Sequence, residues 1–374
     1  MPIKESLSML TRHPNYYPDF RCLGGTCPDT CCRDWDIVLD EETLSDYQHA
    51  PASLSQRLQE SLTTDEEGDT CFRLDHRGFC TMLTPDGLCA IQKEWGEFHL
   101  CDHCAAYPRF IEEYGNLTEA SLAMSCPEVA RLLLESPAFQ VEEVDDGHPD
   151  QPFPDIPPQL LAGLETTRQA VLNGMEEQRY TLWERLQGVL YLADTLQDAI
   201  DREDYPAMVQ AALFLRPLSS TGEEKEFAQT LCRFFSSLEP LRPTWPQRLS
   251  QCYQQLEGLT EAEYQDLCRR FELQFPQWQR HLTNVAEYLL FRHWHKTVND
   301  DQLYGRAAFI SCSTILLYHL FLTQWAEQEA LSQAEEIVLC CAFSREVEHM
   351  EENLDLAIDT CAALSPDAIH FPQC

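Results

Sequence analysis

The stretch Leu182–Ile200 reads LWERLQGVLYLADTLQDAI, with Leu182, Leu186, Val189, Leu190, Ala193, Leu196 and Ile200 recurring at spacings of three and four. That is the period of an amphipathic helix with one apolar face. Leu303–Trp325, LYGRAAFISCSTILLYHLFLTQW, carries the same signature further, through Leu303, Ala307, Ile310, Thr314, Leu317, Phe321 and Trp325. Segments 223–237, 247–257, 261–273, 278–296, 331–349 and 351–363 also read as helices. No run of alternating β-branched residues suggests a large sheet, and no fixed-period repeat suggests a solenoid. Residues 159–374 are therefore expected to form an all-α helical domain.

Working outward, residues 135–158, ESPAFQVEEVDDGHPDQPFPDIPP, mix acidic residues with prolines and show no apolar period. They read as a linker or an extended crossing. Residues 1–134 carry turn signals at Leu23-Gly24-Gly25, Asp75–Gly78 and Thr84–Gly87, and only short periodic stretches. Two short helices are expected there. One spans Asp40–Tyr47, with Asp40 able to cap its amino end, and Pro127 can open another over Pro127–Leu134. The fold class is mainly α: an N-terminal cysteine-rich irregular metal- or cluster-binding module packed on a C-terminal all-α domain.

The chain has 374 residues with 62 acidic against 26 basic side chains, a net charge of −36. Such a surface repels phosphate backbones and anionic membranes, and the densest basic cluster, Arg292–Lys296, holds only two full charges. It suits a basic, lysine-bearing protein. Met1–Leu10 shows no secretory signal, and the apolar runs Leu316–Leu322 and Ile337–Phe343 fall short of the ~20 residues that span a bilayer. A cytoplasmic protein with neither nucleic acid nor membrane as partner is the expectation.

The cysteines are unevenly spread. Cys22, Cys27, Cys31, Cys32, Cys71, Cys80, Cys89, Cys101, Cys104 and Cys126 lie in the first third; the other eight are scattered along the helical half. In a long chain without an export signal, clustered cysteines more often bind metal than form disulfides. The scattered eight read as small buried hydrophobes. Soft thiolates at close spacing suit iron–sulfur clusters and zinc. Adjacent Cys31 and Cys32 do not easily serve one small tetrahedral ion together, so they point to different sites or only one of them ligates. Cys101-x2-Cys104 is the single C-x2-C knuckle, where a zinc ribbon needs two. Ten local cysteines leave room for two metal sites, and iron–sulfur is favoured over zinc. Walker A, G-x-G-x-x-G, H-E-x-x-H and G-x-S-x-G patterns are absent, as is the radical C-x3-C-x2-C spacing.

Six strings now carry a resemblance: FRCLGGTCPDTCCRDWDIVLD (Phe20–Asp40), GFCTMLTPDGLCAIQKEWGE (Gly78–Glu97), CDHCAAYPR (Cys101–Arg109), SLAMSCPEVARL (Ser121–Leu132), NVAEYLLFRHWHK (Asn284–Lys296) and FSREVEH (Phe343–His349). Together they resemble the flagellin lysine-N-methylase family over nearly the whole chain. The resemblance implies methylation of lysine ε-amino groups on flagellin or another lysine-bearing protein. It also implies S-adenosylmethionine as donor and a [4Fe–4S] cluster, with zinc as an alternative or substituted metal. The cysteines that carry over by motif are Cys22, Cys27, Cys31, Cys32, Cys80, Cys89, Cys104 and Cys126.

Methyl transfer needs a neutral amine, hence a base or a desolvated pocket. Glu346 and His349, three apart on one expected helix, are one candidate pair. Glu287 beside Tyr288 is another, although each also reads as an interhelical contact. Arg109 and Tyr107 are the candidate cofactor-binding residues, Arg109 being able to grip a carboxylate or to cap the cysteine module. Two other classes stay open: a non-enzymatic, zinc-stapled protein-binding module, and an iron–sulfur redox or electron-transfer protein.

Overall fold

The computed structural model describes residues 8–35, 37–65, 68–115, 117–149, 156–218 and 221–373, with the side chains of 8, 9 and 145–149 outside the description. The chain is mainly helical and divides into two compact units. One takes in the segment ending at Pro18, Ile111–Ser121, and everything from Arg131 onward. The other is Asp19–Phe110 with Leu122–Ala130.

The larger unit is built around helix Leu303–Ala326. Nearly every residue of that helix is buried, as an all-round apolar helix must be in a core. By length and apolarity it matches a membrane span, but here protein covers it. Seven helices pack on it: Leu182–Asp201, Glu224–Ser237, Thr244–Glu257, Glu261–Gln274, Trp278–His293, Gln333–Phe343 and Glu351–Ala362. Three of these start at full capping boxes, Thr181 with Glu184, Thr260 with Glu263 and Ser332 with Glu335, which satisfy amide groups that a helix end leaves bare.

The strands are β1 (Ser8–Pro14), β2 (Leu62–Thr64), β3 (Thr70–Phe72), β4 (Arg109–Tyr114), β5 (Leu117–Leu122) and β6 (Val141–Pro149). The helical unit carries a four-stranded sheet in the order β4-β5-β1-β6. β1 runs parallel to β5, with Arg12 opposite Glu119, and antiparallel to β6, with Arg12 opposite Glu143. Part of the expected linker is thus a sheet edge. Val141–Pro149 gains a ladder of backbone hydrogen bonds from β1, and Arg12 binds Glu143 at 2.9 Å and Glu165 at 2.6 Å. Residues 150–155 of that stretch lie outside the described residues. The expected helix over 331–349 is also shorter: it ends at Phe343 and continues as one π-helical turn, Ser344–Glu348.

The cysteine-rich unit holds the β2–β3 hairpin, helices Glu41–Tyr47 and Ala52–Ser61, and several one-turn helices. Asp40 caps the first, accepting the Thr43 amide at 2.7 Å. A small core of Leu39, Tyr47, Leu54, Leu58, Phe72 and Met82 includes Cys101, with Cys80, Cys89 and Cys104 packed against it. The turn Gly24–Thr26 meets the turn at Thr84–Gly87 backbone to backbone. A Cβ on Gly25 would lie 2.3 Å from the Asp86 carbonyl oxygen, and one on Gly87 (φ 77°) 3.0 Å from Gly25 Cα. Gly25→Ala is therefore expected to cost this unit about 1–3 kcal/mol by overpacking. Thermal denaturation followed by circular dichroism measures it; an unchanged midpoint would contradict the close contact.

Candidate functional site

Nine of the ten N-terminal cysteines fall into two neighbourhoods within the cysteine-rich unit. Cys31 lies in the electrostatic field of Cys22 and Cys126, and Cys126 in that of Cys27 and Cys22. Cys80 feels Cys32, Cys89 and Cys101, and Cys104 feels Cys101, Cys32 and Cys89. The backbone ties the second group together, since the Cys80 amide donates to the Cys32 carbonyl at 2.9 Å. Cys71 sits apart in β3, buried and bridged to Val38. Cys101, which the motif reading left out of the ligand set, belongs with the second group.

Crowding and burial set the protonation of these thiols. Burial first, then the neighbouring sulfurs, pushes Cys80 up to about 12. Burial likewise lifts Cys126 to about 11, against the pull of the Val129 and Glu128 amides. In the Cys31–Cys32 pair a thiol–sulfur hydrogen bond raises Cys31 and lowers Cys32 to about 7; in the Cys101–Cys104 pair Cys101 is lowered and Cys104 raised. Burial thus favours the neutral thiol at Cys80 and Cys126, and a bound cation would favour the thiolate form.

The donor chemistry fits a thiophilic group. Besides soft sulfur, the chain supplies amide donors to the sulfurs: Gly24 to Cys22 at 3.4 Å, Met82 to Cys80, Ile91 and Gln92 to Cys89, Cys104 to Cys101, and Glu128 and Val129 to Cys126. Such bonds stabilise metal-bound thiolate. Among the described residues, no three His, Cys, Asp or Glu side chains are drawn into a closed ligand set for one ion.

The candidate acid–base residues lie in the helical unit and serve separate networks. Glu346 accepts the backbone amides of Leu241 and Arg242 at 2.7 and 3.0 Å, holding the entry to helix Thr244–Glu257. His349 ends the π-helical turn, and burial with the field of Arg292 lowers its pKa to about 4. Glu346 lies on this π-helical turn and His349 at its end, and the Glu346 carboxylate faces Leu241 and Arg242. Glu287 is fully buried on helix Trp278–His293, where its carboxyl group meets the Glu176 carboxylate. Burial and then the Glu176 carboxylate raise it to about 9, against Arg280 and Arg185. Its neighbour in sequence, Tyr288, turns to a different group.

That group centres on Glu348, which the sequence places on the same expected helix as Glu346 and His349 but outside the candidate pair. Its buried carboxylate accepts Tyr288 Oη at 3.3 Å and Arg292 at 3.3 Å, with His293 Nε2 also 3.3 Å away. Burial works to raise its pKa, but Arg292 and His293 outweigh burial and bring it to about 2. The only sequence signal was the charged residues inside otherwise apolar helices, whose convergence depends on tertiary packing. In the cysteine-rich unit, the Arg109 guanidinium stacks over Phe20 at 5.2 Å, and Tyr107 Oη meets Ser125 Oγ at 3.0 Å. Among the described residues no carboxylate pairs with Arg109.

Comparison with known proteins supplies the remaining context. The family model described as the FliB lysine N-methylase C-terminal domain matches residues 168–367. The chain is 31% identical over 129 residues to the flagellar biosynthetic protein FliU of Salmonella muenchen, covering 33% of this chain and 76% of that protein. It is 30% identical over 129 residues to the lysine-N-methylases of Salmonella choleraesuis and Salmonella typhimurium, again 33% of this chain. The match spans about a third, 32%, of the length of each of those two methylases. No solved structure matches. Since the matched model spans more than half of its residues, the chain belongs to the FliB lysine N-methylase family.

Proposed function

We propose that this chain methylates lysine ε-amino groups of flagellin, with S-adenosylmethionine as donor and an iron–sulfur group held by the N-terminal cysteines. The observation that carries the reading is the gathering of nine thiols, five of them accepting backbone amides, in a chain of the lysine N-methylase family. Eight motif cysteines and Cys101 would hold the group. When bound, it supplies electrophilic iron for the amino and carboxylate groups of the donor.

The transfer breaks the sulfonium S–CH3 bond and forms an N–CH3 bond, leaving a neutral thioether and requiring an unprotonated amine. None of the three candidate residues suits the task of taking that proton. Glu287 is already protonated at neutral pH, Glu346 is engaged by two amides, and His349 is far too weak a base for an ammonium group. The proton is released to solvent in this reading, and the net charge of −36 draws the basic substrate in. Methylation is then expected to rise roughly tenfold per pH unit between pH 6.5 and 8, following the neutral fraction of a lysine.

Co-expression with flagellin in a host lacking its own methylase, followed by peptide mass spectrometry, tests the reading. Methyl-lysine that depends on this chain is the expected result. Unmodified lysines beside folded, metal-loaded protein would overturn it.

A further inference from the structure

We infer that the helical unit carries a binding site for a small free α-amino acid, gripped by Arg216 and Asp367 on either side of Tyr191. The site is a cavity of about 260 Å3 where three segments converge. Helix Leu182–Asp201 supplies Tyr191, the irregular chain before Thr221 supplies Arg216, and the tail after helix Glu351–Ala362 supplies Asp367, His370 and Phe371. Each segment is fixed. The Leu218 amide donates to Glu184 Oε1 at 3.3 Å. The chain at Phe214 lies so close to the helix that a Cβ on Gly188 would sit 3.0 Å from the Phe214 carbonyl oxygen. In the tail, the buried Phe371 ring packs on Trp183 at 6.1 Å, and His370 meets Thr221 Oγ1 at 3.0 Å and Glu223 at 3.2 Å.

The charges at this cavity select the ligand. The Arg216 guanidinium lies over the Tyr191 ring at 4.3 Å, and Tyr191 Oη donates to Asp367. Among the described residues no carboxylate pairs with Arg216, although acidic side chains outnumber basic ones 62 to 26. Tyr191 thus bears a cation on its face and an anion at its hydroxyl, with the two not paired to each other. Asp367 repels a lone anion and Arg216 a lone cation; a zwitterion answers both. The α-carboxylate takes the planar guanidinium fork, and the α-ammonium takes Asp367. Leu218 and Phe371 offer apolar surface to the ligand's side chain. Size completes the assignment. Pockets for drug-sized ligands hold about 300–1,000 Å3, so this cavity suits one amino acid and not the larger adenosyl donor. The site uses none of the cysteines and goes beyond the methyl-transfer reading.

The test is titration calorimetry of the full chain with each of the common L-amino acids. Saturable binding of at least one is expected, weakened roughly tenfold or more when its carboxylate is amidated or its amine acetylated. Arg216→Gln and Asp367→Asn are each expected to weaken it by a similar factor without changing the circular dichroism, since both side chains are exposed at the cavity mouth. If a variant fails to fold, the amidated and acetylated ligands decide on the wild type. No saturable binding by any amino acid up to ~10 mM would overturn the site. So would affinity unchanged in both variants, or S-adenosylhomocysteine displacing the amino acid with equal or greater affinity. Neither flagellin nor methyl transfer enters the experiment, so its failure leaves the proposed function standing.

Discussion

Replacing Arg168 with methionine is expected to destabilise the helical unit by about 3–5 kcal/mol, the cost of leaving a buried charge without its partner. Arg168, on helix Pro158–Met175, is 3% exposed, and its guanidinium grips both carboxylate oxygens of Glu119 in β5. It also donates to the Phe291 carbonyl at 3.1 Å and stacks on the Phe291 ring at 4.9 Å. Burial alone would raise the Glu119 pKa, yet Arg168 and then His295 hold it at about 2. Its folded pKa therefore lies below the unfolded value of about 4.3. The sign follows: the stabilisation is present above that unfolded value and is lost as pH falls through about 2. Methionine keeps most of the volume and removes the cation. The midpoint of thermal unfolding should fall on the order of 10 °C at neutral pH. Arg168→Met/Glu119→Leu should recover much of the loss, because neither charge is then stranded. A shift in the single variant too small to measure would show that the pair is not buried as described.

Glu287→Gln is expected to act in the opposite direction. With its pKa raised to about 9, Glu287 stays protonated in the folded chain while an unfolded glutamate is ionised above about pH 4.3. The folded state binds the extra proton throughout that window, so stability falls as pH rises from the unfolded value and levels off above about 9. At pH 7 the accumulated cost is on the order of 3 kcal/mol, some two to three pH units at about 1.4 kcal/mol each. A glutamine never ionises, and its amide can donate toward the Glu176 carboxylate, which Arg280 already holds at 2.6 Å. The variant should melt several degrees higher than the wild type at pH 8 and near the same temperature at pH 4.5. Equal midpoints at both pH values would contradict a neutral Glu287.

Which features were legible in the sequence depends on the range of the forces that shape them. Leu182–Asp201, Leu303–Ala326 and the Asp40 cap follow from local spacing, and the structure has them where the pattern put them. Val141–Pro149 reads as a crossing because its acidic sequence has no strand period of its own; a ladder with β1, more than a hundred residues away, makes it a strand. The helix that the period extended through His349 loosens into a π-helical turn at Ser344, where Glu346 finds the amides of Leu241 and Arg242. That choice is tertiary. The same holds for the thiols: spacing marks Cys31 and Cys32 as an awkward pair, and folding brings Cys126, far along the chain, within electrostatic reach of Cys31.

The most direct measurement of the central claim uses the chain purified without oxygen, flagellin, and S-adenosylmethionine carrying a labelled methyl group. Label recovered in flagellin as methyl-lysine, absent when the chain is omitted, is the predicted result. Label that remains wholly in the donor, with the protein folded, would contradict the account.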